Sequence, residues 1–296
     1  LNDPASREYG SKFAGAPIWV TGAGGLIGSY FVQEVPKVFP LSTCVGLTHD
    51  RLDIADFRKV ELQFRAASPA LIIHCAAMSR SPECQANPPK ARLINVEATR
   101  HLAEMAADIP LLFFSTDMVF DGTQGNYDED AAVNPLSCYG ETKAEAERAV
   151  LKNPRHLVVR TSLNAGRSPS GDSSFNEQWR NAWVRGQTLR LFVDEFRSPI
   201  HACATVRACL ELIRGGKTGL FHVAGAERMS RYEMGWLLAS RCPDLGPRFE
   251  PASIAEYRGA PRPPDTSLNC ARAQSHLSFP LPKLSEFLVE NPQEFY

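Results

Sequence analysis

Tyr139-Gly-Glu-Thr-Lys143 sets a phenol and an ammonium at positions i and i+4, which share one face of a helix. An isolated phenol has a pKa of about 10 and needs help to exchange a proton near neutrality. A nearby cation favours the phenolate, so Lys143 is expected to lower that pKa. The chemistry this permits is donation of a proton from Tyr139 to a carbonyl oxygen while hydride arrives at its carbon. Thr116, at the end of the apolar run Leu111-Leu-Phe-Phe-Ser115, has a hydroxyl placed to hydrogen-bond the same oxygen. Tyr-x-x-x-Lys is also a common accident of helices, so the pair gains meaning only beside a source of hydride.

Thr21-Gly22-Ala-Gly24-Gly25-Leu-Ile-Gly28 supplies that context. Glycines at 22, 25 and 28 permit a tight turn, close approach of backbone to a diphosphate, and close packing of helix on strand. The helix that follows begins at Leu26 and Ile27, whose free N–H groups and dipole end suit an anion. The pattern predicts a dinucleotide loop, with a ligand-free Gly-rich turn as the bland alternative. Beyond the second strand the chain reads Leu47-Thr-His-Asp-Arg51. Thr48 stands where an acid would select NAD(H), and His49 and Arg51 suit a 2′-phosphate, so NADP(H) is favoured over NAD(H) despite Asp50. Asp53, with Ile54 beside it, is a candidate to meet the adenine; it reads equally as a solvated acid opening a helix.

These groups must be held by a framework, and the first half of the chain supplies one. Strands are predicted at Pro17–Thr21, Thr43–Leu47, Leu71–Cys75, Leu111–Ser115 and His156–Arg160. Helices are predicted at Leu26–Val38 (ended or disturbed by Pro36), Phe57–Ala67, Ala91–Ala107 and Tyr139–Leu151. Apolar strands alternating with amphipathic helices indicate an α/β fold with a Rossmann-like, doubly wound parallel sheet. After Arg160 the rhythm breaks at the Gly/Ser/Pro-rich stretch Gly166–Asp172. A helix over Thr205–Arg214 and a strand over Gly219–Val223 return to the sheet. Ser230-Arg-Tyr-Glu233, between Met229 and Met234, reads as a capping box with a hydrophobic staple. The boundaries drawn are 15–165 plus 198–224 for the dinucleotide-binding domain. A smaller α+β substrate domain takes 166–197 plus 225–296, including the Pro-rich Gly259–Asp265 and the apolar Leu281–Leu288.

Composition narrows the function classes. A 296-residue chain with net charge −1 has no electrostatic footprint for nucleic acid or an anionic membrane. No apolar run has the length of a membrane span, and residues 1–14 are polar and mixed, without a signal-peptide core. The eight cysteines form no Cys-x-x-Cys pair and show no metal-ligand spacing, which favours reduced thiols, no metal and a cytoplasmic setting. His74 reads as a strand residue packed beneath the cofactor site.

Ser115-Thr-Asp-Met-Val-Phe-Asp-Gly122, Asn126-Tyr-Asp-Glu-Asp130 and Asn134-Pro-Leu-Ser-Cys-Tyr-Gly-Glu-Thr-Lys143 together resemble the extended short-chain dehydrogenase/reductase family. Leu71–Ala77, Ile94-Asn-Val96, Val158–Ser162, Asp194–Pro199, Gly219–Gly225 and Arg262–Asn269 extend the match over roughly Pro17 to Leu288. Within the family the chain is most similar to the dTDP-4-dehydrorhamnose reductase branch. The resemblance implies Thr116, Tyr139 and Lys143 as the catalytic set, the latter two also meeting the cofactor. It implies Ala76 and Ala77 lining the cofactor, Asn95 supporting the active-site helix on the cofactor side, and Ser162 and Leu163 near the nicotinamide. Thr116, Asp117, Met118 and Tyr139 would border a nucleotide-linked sugar. Arg197 would serve the substrate, or else pair structurally with Asp194 or Glu195. His201-Ala-Cys-Ala204 replaces a usual acid, Asn269 a usual aspartate and Met118 a common aromatic, departures that bear on the sugar. The implied activity is reduction of a 4-keto group on a nucleotide-activated deoxysugar. Two alternatives are a non-catalytic subunit like that of methionine adenosyltransferase and an epimerase or dehydratase. The sequence leaves room for a homodimer.

Overall fold

The computed structural model describes residues 12–294. The polar N-terminal stretch noted above falls outside the described residues up to position 11. Six parallel strands form the main sheet: β1 (Pro17–Thr21), β2 (Thr43–Leu47), β3 (Leu71–His74), β4 (Leu111–Thr116), β5 (Leu157–Thr161) and β6 (Gly219–His222). Their order is β6-β5-β4-β3-β1-β2, so the strand order reverses beside β1. In an open sheet of this kind, ligands lie outside the carboxyl ends of the strands at that reversal.

The two-residue period of each strand distributes its side chains to two cores. Ile18, Val20, Leu71, Ile73, Leu112, Phe114, Leu157 and Val159 pack on one face, against α1 (Leu26–Val38) and a later helix over Ala202–Arg214. Trp19, Ile72, Leu111, Phe113 and Val158 pack on the other. There they meet α2 (Phe57–Ala67), α3 (Ala98–Met105) and α4 (Cys138–Val150). Burial on both faces explains why the strands read as continuous apolar runs.

Two expectations needed revision. Pro36 lies inside α1, which continues to Val38. A proline in the last turn removes little of the remaining hydrogen-bond ladder. The helix expected over Ala91–Ala107 is instead composite. Short helices at Ser81–Ala86 and Pro88–Arg92 come first, each with a proline in its first turn, then a π-helical turn at Leu93–Glu97, then α3. A π-turn inserts one residue into the ladder and re-aims the side chain it carries; here that turn contains Asn95.

Beyond β5, a helix α5 (Phe175–Val184) and a parallel pair of strands, Thr188–Phe192 with Arg248–Ala252, build a smaller α/β region. It includes α7 (Arg231–Ala239) and α8 (Leu284–Glu290), while α6 (Ala202–Arg214) returns to the sheet. Trp179, Trp183, Leu191, Met234, Leu238, Leu284 and Leu288 form its core, with Met229 packed against it. Ser230 and Glu233 make the reciprocal capping box, Glu233 N donating to Ser230 Oγ at 3.1 Å and Ser230 N to Glu233 Oε2 at 2.7 Å. Ala273 and Leu281 nevertheless pack with the sheet's core, so the last stretch of chain serves both regions. No helix among the described residues is long and apolar enough to cross a membrane.

Candidate active site

The glycine loop leaves β1 at Gly22, whose φ of +67° is a left-handed conformation. A Cβ at Gly22 would stand 2.6 Å from Ala76 N, and one at Gly28 would overlap the Gly22 carbonyl. The loop is therefore pressed against both the segment after β3 and the first turn of α1. Gly25 is the N-cap of α1 and makes no side-chain cap, which leaves the N–H groups of Leu26, Ile27 and Gly28 directed outward. This cradle fits an anionic diphosphate. Ala76 and Ala77, both half-buried, follow β3 at its edge. Across the loop, the Thr48 methyl lies 3.5 Å from where a Gly24 Cβ would be. His49 is exposed with Nδ1 3.8 Å from Asp53 Oδ1, and Arg51 Nη1 donates to Gly46 O at 3.0 Å. Asp53 Oδ1 accepts from Ala55 N at 2.9 Å, while Ile54 is buried.

The Tyr–Lys helix is fixed to the end of β4 by contact. Thr116 closes the strand and Asp117–Val119 turns in a 3-10 helix. A Cβ at Gly140 would overlap Met118 O, so the start of α4 sits directly on that turn. Ser137 caps the helix, accepting from Gly140 N at 3.2 Å. The result brings the Tyr139 hydroxyl up to the Thr116 hydroxyl. Thr116 Oγ1 donates to Asp117 Oδ1 at 3.1 Å and accepts from Met118 N at 3.2 Å.

Electrostatics here depart from the sequence-based expectation. Burial, seconded by the Asp117 carboxylate, pushes the Tyr139 phenol above its ordinary value, and the Thr116 hydroxyl opposes this only in part. Lys143 is itself pushed down to about 7 by burial, with Glu147 pulling the other way. Its Nζ lies 4.0 Å from the Phe113 ring centroid, and no carbonyl or carboxylate among the described residues accepts a hydrogen bond from it. A buried amine awaiting an acceptor fits the ribose hydroxyls of a bound dinucleotide. A phenol that keeps its proton suits a general acid.

A buried polar scaffold lies beneath. Asn95 Oδ1 accepts from Met78 N (2.8 Å), and Nδ2 donates to Met78 O (3.0 Å) and Thr142 Oγ1 (3.1 Å). Thr142 Oγ1 in turn donates to Tyr139 O at 2.9 Å. Asn95 thus ties the loop after β3 to α4, with both its amide hydrogens committed to protein groups. Thr99 Oγ1 donates to Asn95 O, so it accepts from His74 Nε2 at 3.0 Å. His74 Nδ1 then accepts from Thr21 Oγ1 at 2.7 Å. This fixes a neutral imidazole, and burial beside Lys143 holds its pKa down to about 3. Gly140, Thr142 and Thr99 escaped sequence reasoning; the first two lie inside the Tyr-to-Lys segment, and Thr99 carries no local signal.

Next to Thr116, Asp117 is enclosed. Its Oδ2 accepts from Ser162 Oγ (2.8 Å) and Thr266 Oγ1 (2.9 Å) and lies 3.6 Å from Arg197 Nε. Arg197 is buried, donates to Phe196 O and Pro263 O, and lies 3.1 Å from Glu195 Oε1. Its guanidinium therefore meets protein groups, the ion-pair alternative among them. Glu195 also receives Arg262 and lies 4.0 Å from Arg231 Nε. Burial would raise the Glu195 carboxyl, but these three arginines hold it down to about 2. Arg231 and Arg262 reach a cleft of about 430 Å³ that Trp179, Phe192, Tyr257 and Arg258 also line. Arg231 Nη1 is buried there without a hydrogen-bond partner. A larger hollow of about 630 Å³, beside Trp236 and Phe249, contains none of these groups.

The family described as RmlD substrate binding domain matches residues 16–296. The probable low-salt glycan biosynthesis reductase of Haloferax volcanii is 31% identical over 288 residues, covering 92% of this chain and 95% of that one. Methionine adenosyltransferase 2 subunit beta of Xenopus laevis is 29% identical over 269 residues, covering 86% and 80%. The crystal structure of a dTDP-4-dehydrorhamnose reductase from Clostridium acetobutylicum superposes with a TM-score of 0.84 at 25% identity, covering 94% of this chain and 98% of that one.

Proposed function

The chain belongs to the RmlD substrate-binding domain family, and on that premise we propose that it is an NAD(P)H-dependent reductase of a 4-keto group on a nucleotide-activated deoxysugar. The observation that carries this is the Tyr139–Thr116 hydroxyl pair, with the buried Lys143 one helical turn further along α4. When bound, the nicotinamide supplies hydride. Tyr139 donates its proton to the carbonyl oxygen, and the Thr116 hydroxyl, turned from Asp117 to the substrate, gives that oxygen a second hydrogen bond as negative charge develops. Lys143 binds the nicotinamide ribose and offsets charge on the phenolate left behind. Gly22, Gly25, Leu26, Ile27 and Gly28 hold the diphosphate, Asp53 and Ile54 border the adenine, and Ala76, Ala77 and Ser162 line the nicotinamide half. Asn95 acts at one remove, through Met78 and Thr142.

NADPH is the preferred reductant in this reading. Thr48 itself supplies no carboxylate to repel a 2′-phosphate, and exposed His49 and Arg51 offset the Asp50 carboxylate that bonds its hydroxyl. The substrate is a nucleotide sugar, its sugar beside Asp117 and Met118. Arg231 and Arg262 take the diphosphate in the aromatic cleft, and Arg197 contributes to that side by fixing Asp117 and Glu195. Asp117, surrounded by four partners, has no freedom to act as the extra acid that a dehydratase needs.

The identity to a methionine adenosyltransferase subunit favours one other reading, a regulatory chain that keeps the cofactor site without turnover. Incubating the pure protein with NADPH and a panel of 4-keto nucleotide sugars separates the two. The reductase reading expects cofactor absorbance to fall with at least one sugar. Absence of oxidation throughout, with a stable complex formed on an adenosyltransferase, would establish the other.

A further inference from the structure

Glu147 follows Lys143 by one helical turn on α4, so the two side chains share a face of that helix, and both are 3% exposed. Glu147 has no place in the chemistry above. Its carboxylate accepts from Arg160 Nε at 2.9 Å and from Arg160 Nη2 at 2.8 Å, a two-pronged pairing. Arg160 comes from β5 and stands over the Phe120 ring at 5.0 Å. Its remaining arm, Nη1, lies 3.3 Å from His222 Nε2. His222 Nδ1 faces Tyr127 O at 3.1 Å, so Nδ1 carries the proton and Nε2 accepts from Arg160. Every arm of the guanidinium is thereby fixed, and with it the place of the carboxylate.

A buried ion pair contributes little net stability that a well-packed apolar pair would not match. What distinguishes this one is its orientation beside Lys143. The titratable groups acting on that amine are His74 on β3, Cys75 just after it, Cys84 on the helix Ser81–Ala86 and Glu147 on its own helix, where Tyr139 stands one turn earlier. His74 is neutral, and burial keeps both thiols and the phenol protonated. Glu147 is the one acid among them.

We infer that Glu147 is a positioning residue that favours the ammonium form of Lys143, with Arg160 holding the carboxylate charged and in place. A lone carboxylate at this depth would protonate and exert no field. The clamp supplies an anion that cannot turn away, opposing the burial that drives Lys143 toward the free amine. The inference relies on the reductase reading only for its catalytic consequence, because the charge on Lys143 can be measured without turnover.

The direct test is an NMR titration of Lys143 Nζ in cofactor-free protein carrying isotope-labelled lysine. Glu147→Gln is expected to lower the Lys143 midpoint by about one pH unit or more. The double variant Glu147→Leu/Arg160→Met, which strands neither Glu147 nor Arg160 without its partner, is expected to lower it in the same direction and decides the matter if the single variant does not fold. An unchanged midpoint in a folded variant, whatever its melting temperature, overturns the inference, since a purely structural anchor alters stability alone. In the reductase assay the alkaline limb of the kcat/KM profile should move acidward with the midpoint. If the wild type shows no turnover, the reductase reading fails while the titration still decides the role of Glu147.

Discussion

At Tyr139 two influences compete, and their balance departs from what residue types alone imply. A lysine four residues on should favour the phenolate, yet Lys143 is buried and Tyr139 half-buried, and desolvation disfavours the charged form of each. Lys143 accordingly has a folded pKa of about 7 against an ordinary 10.5. A base with a depressed pKa binds fewer protons folded than unfolded, so it costs stability at pH 7 and below. That cost fades as pH rises from 7 toward 10.5. Lys143→Met should therefore raise the melting temperature of the cofactor-free protein near neutrality, by about 2–4 °C for each kcal/mol relieved, and abolish turnover. A lower melting temperature in that variant would show the ammonium to be well solvated or paired. Tyr139, Lys143 and Thr116 could be named as candidates from their types and spacing once the glycine loop stood beside them. The direction of the phenol's shift was not, because it depends on burial that the spacing does not encode.

The elements around the site explain how much of it a linear reading can reach. The strand–loop–helix at Thr21–Gly28 is read directly, since three glycines at fixed spacing have few other uses. The π-turn at Leu93–Glu97 is invisible in a pattern that suits a plain helix, yet it carries the Asn95 amide that joins Met78 to Thr142. Asn95→Ala should lower kcat roughly tenfold and stability by about 1–3 kcal/mol, because three buried bonds lose their partner. Cofactor affinity measured by fluorescence titration should change little; a comparable loss there would mean that Asn95 touches the cofactor. The helix α5 was also missed, although Ser174-Phe-Asn-Glu177 is a capping box of the kind recognised at Ser230. Its Gly/Ser/Pro-rich approach masked the signal. Gly140→Ala is a sharper test of element packing: its methyl must displace Met118 or the first turn of α4, and activity should fall by more than tenfold.

Across the whole molecule, the carboxyl end of β4 and the smaller region meet at Asp117, which Ser162, Thr266 and Arg197 approach from separate segments. Sequence alternation sufficed for the sheet, but these contacts join residues up to 149 positions apart and no local pattern holds them. Glu195, paired with three arginines, extends the junction. Its carboxyl is held down to about 2 against an ordinary 4.5. It therefore contributes stability that is present above pH 4.5 and lost as pH falls through 2. Glu195→Gln should flatten the dependence of stability on pH across that window in denaturant titrations; an unaltered slope would show that the cluster contributes nothing. Arg51→Ala should reduce the extra thermal stabilisation by NADPH over NADH, and an unchanged difference would remove that residue from cofactor selection. The central claim, that Tyr139 is the proton donor of a hydride transfer, is tested most directly by following NADPH oxidation with 4-keto nucleotide sugars in wild type and Tyr139→Phe. The account predicts turnover that the variant slows on the order of a hundredfold or more while still binding cofactor; undiminished turnover in Tyr139→Phe would contradict it.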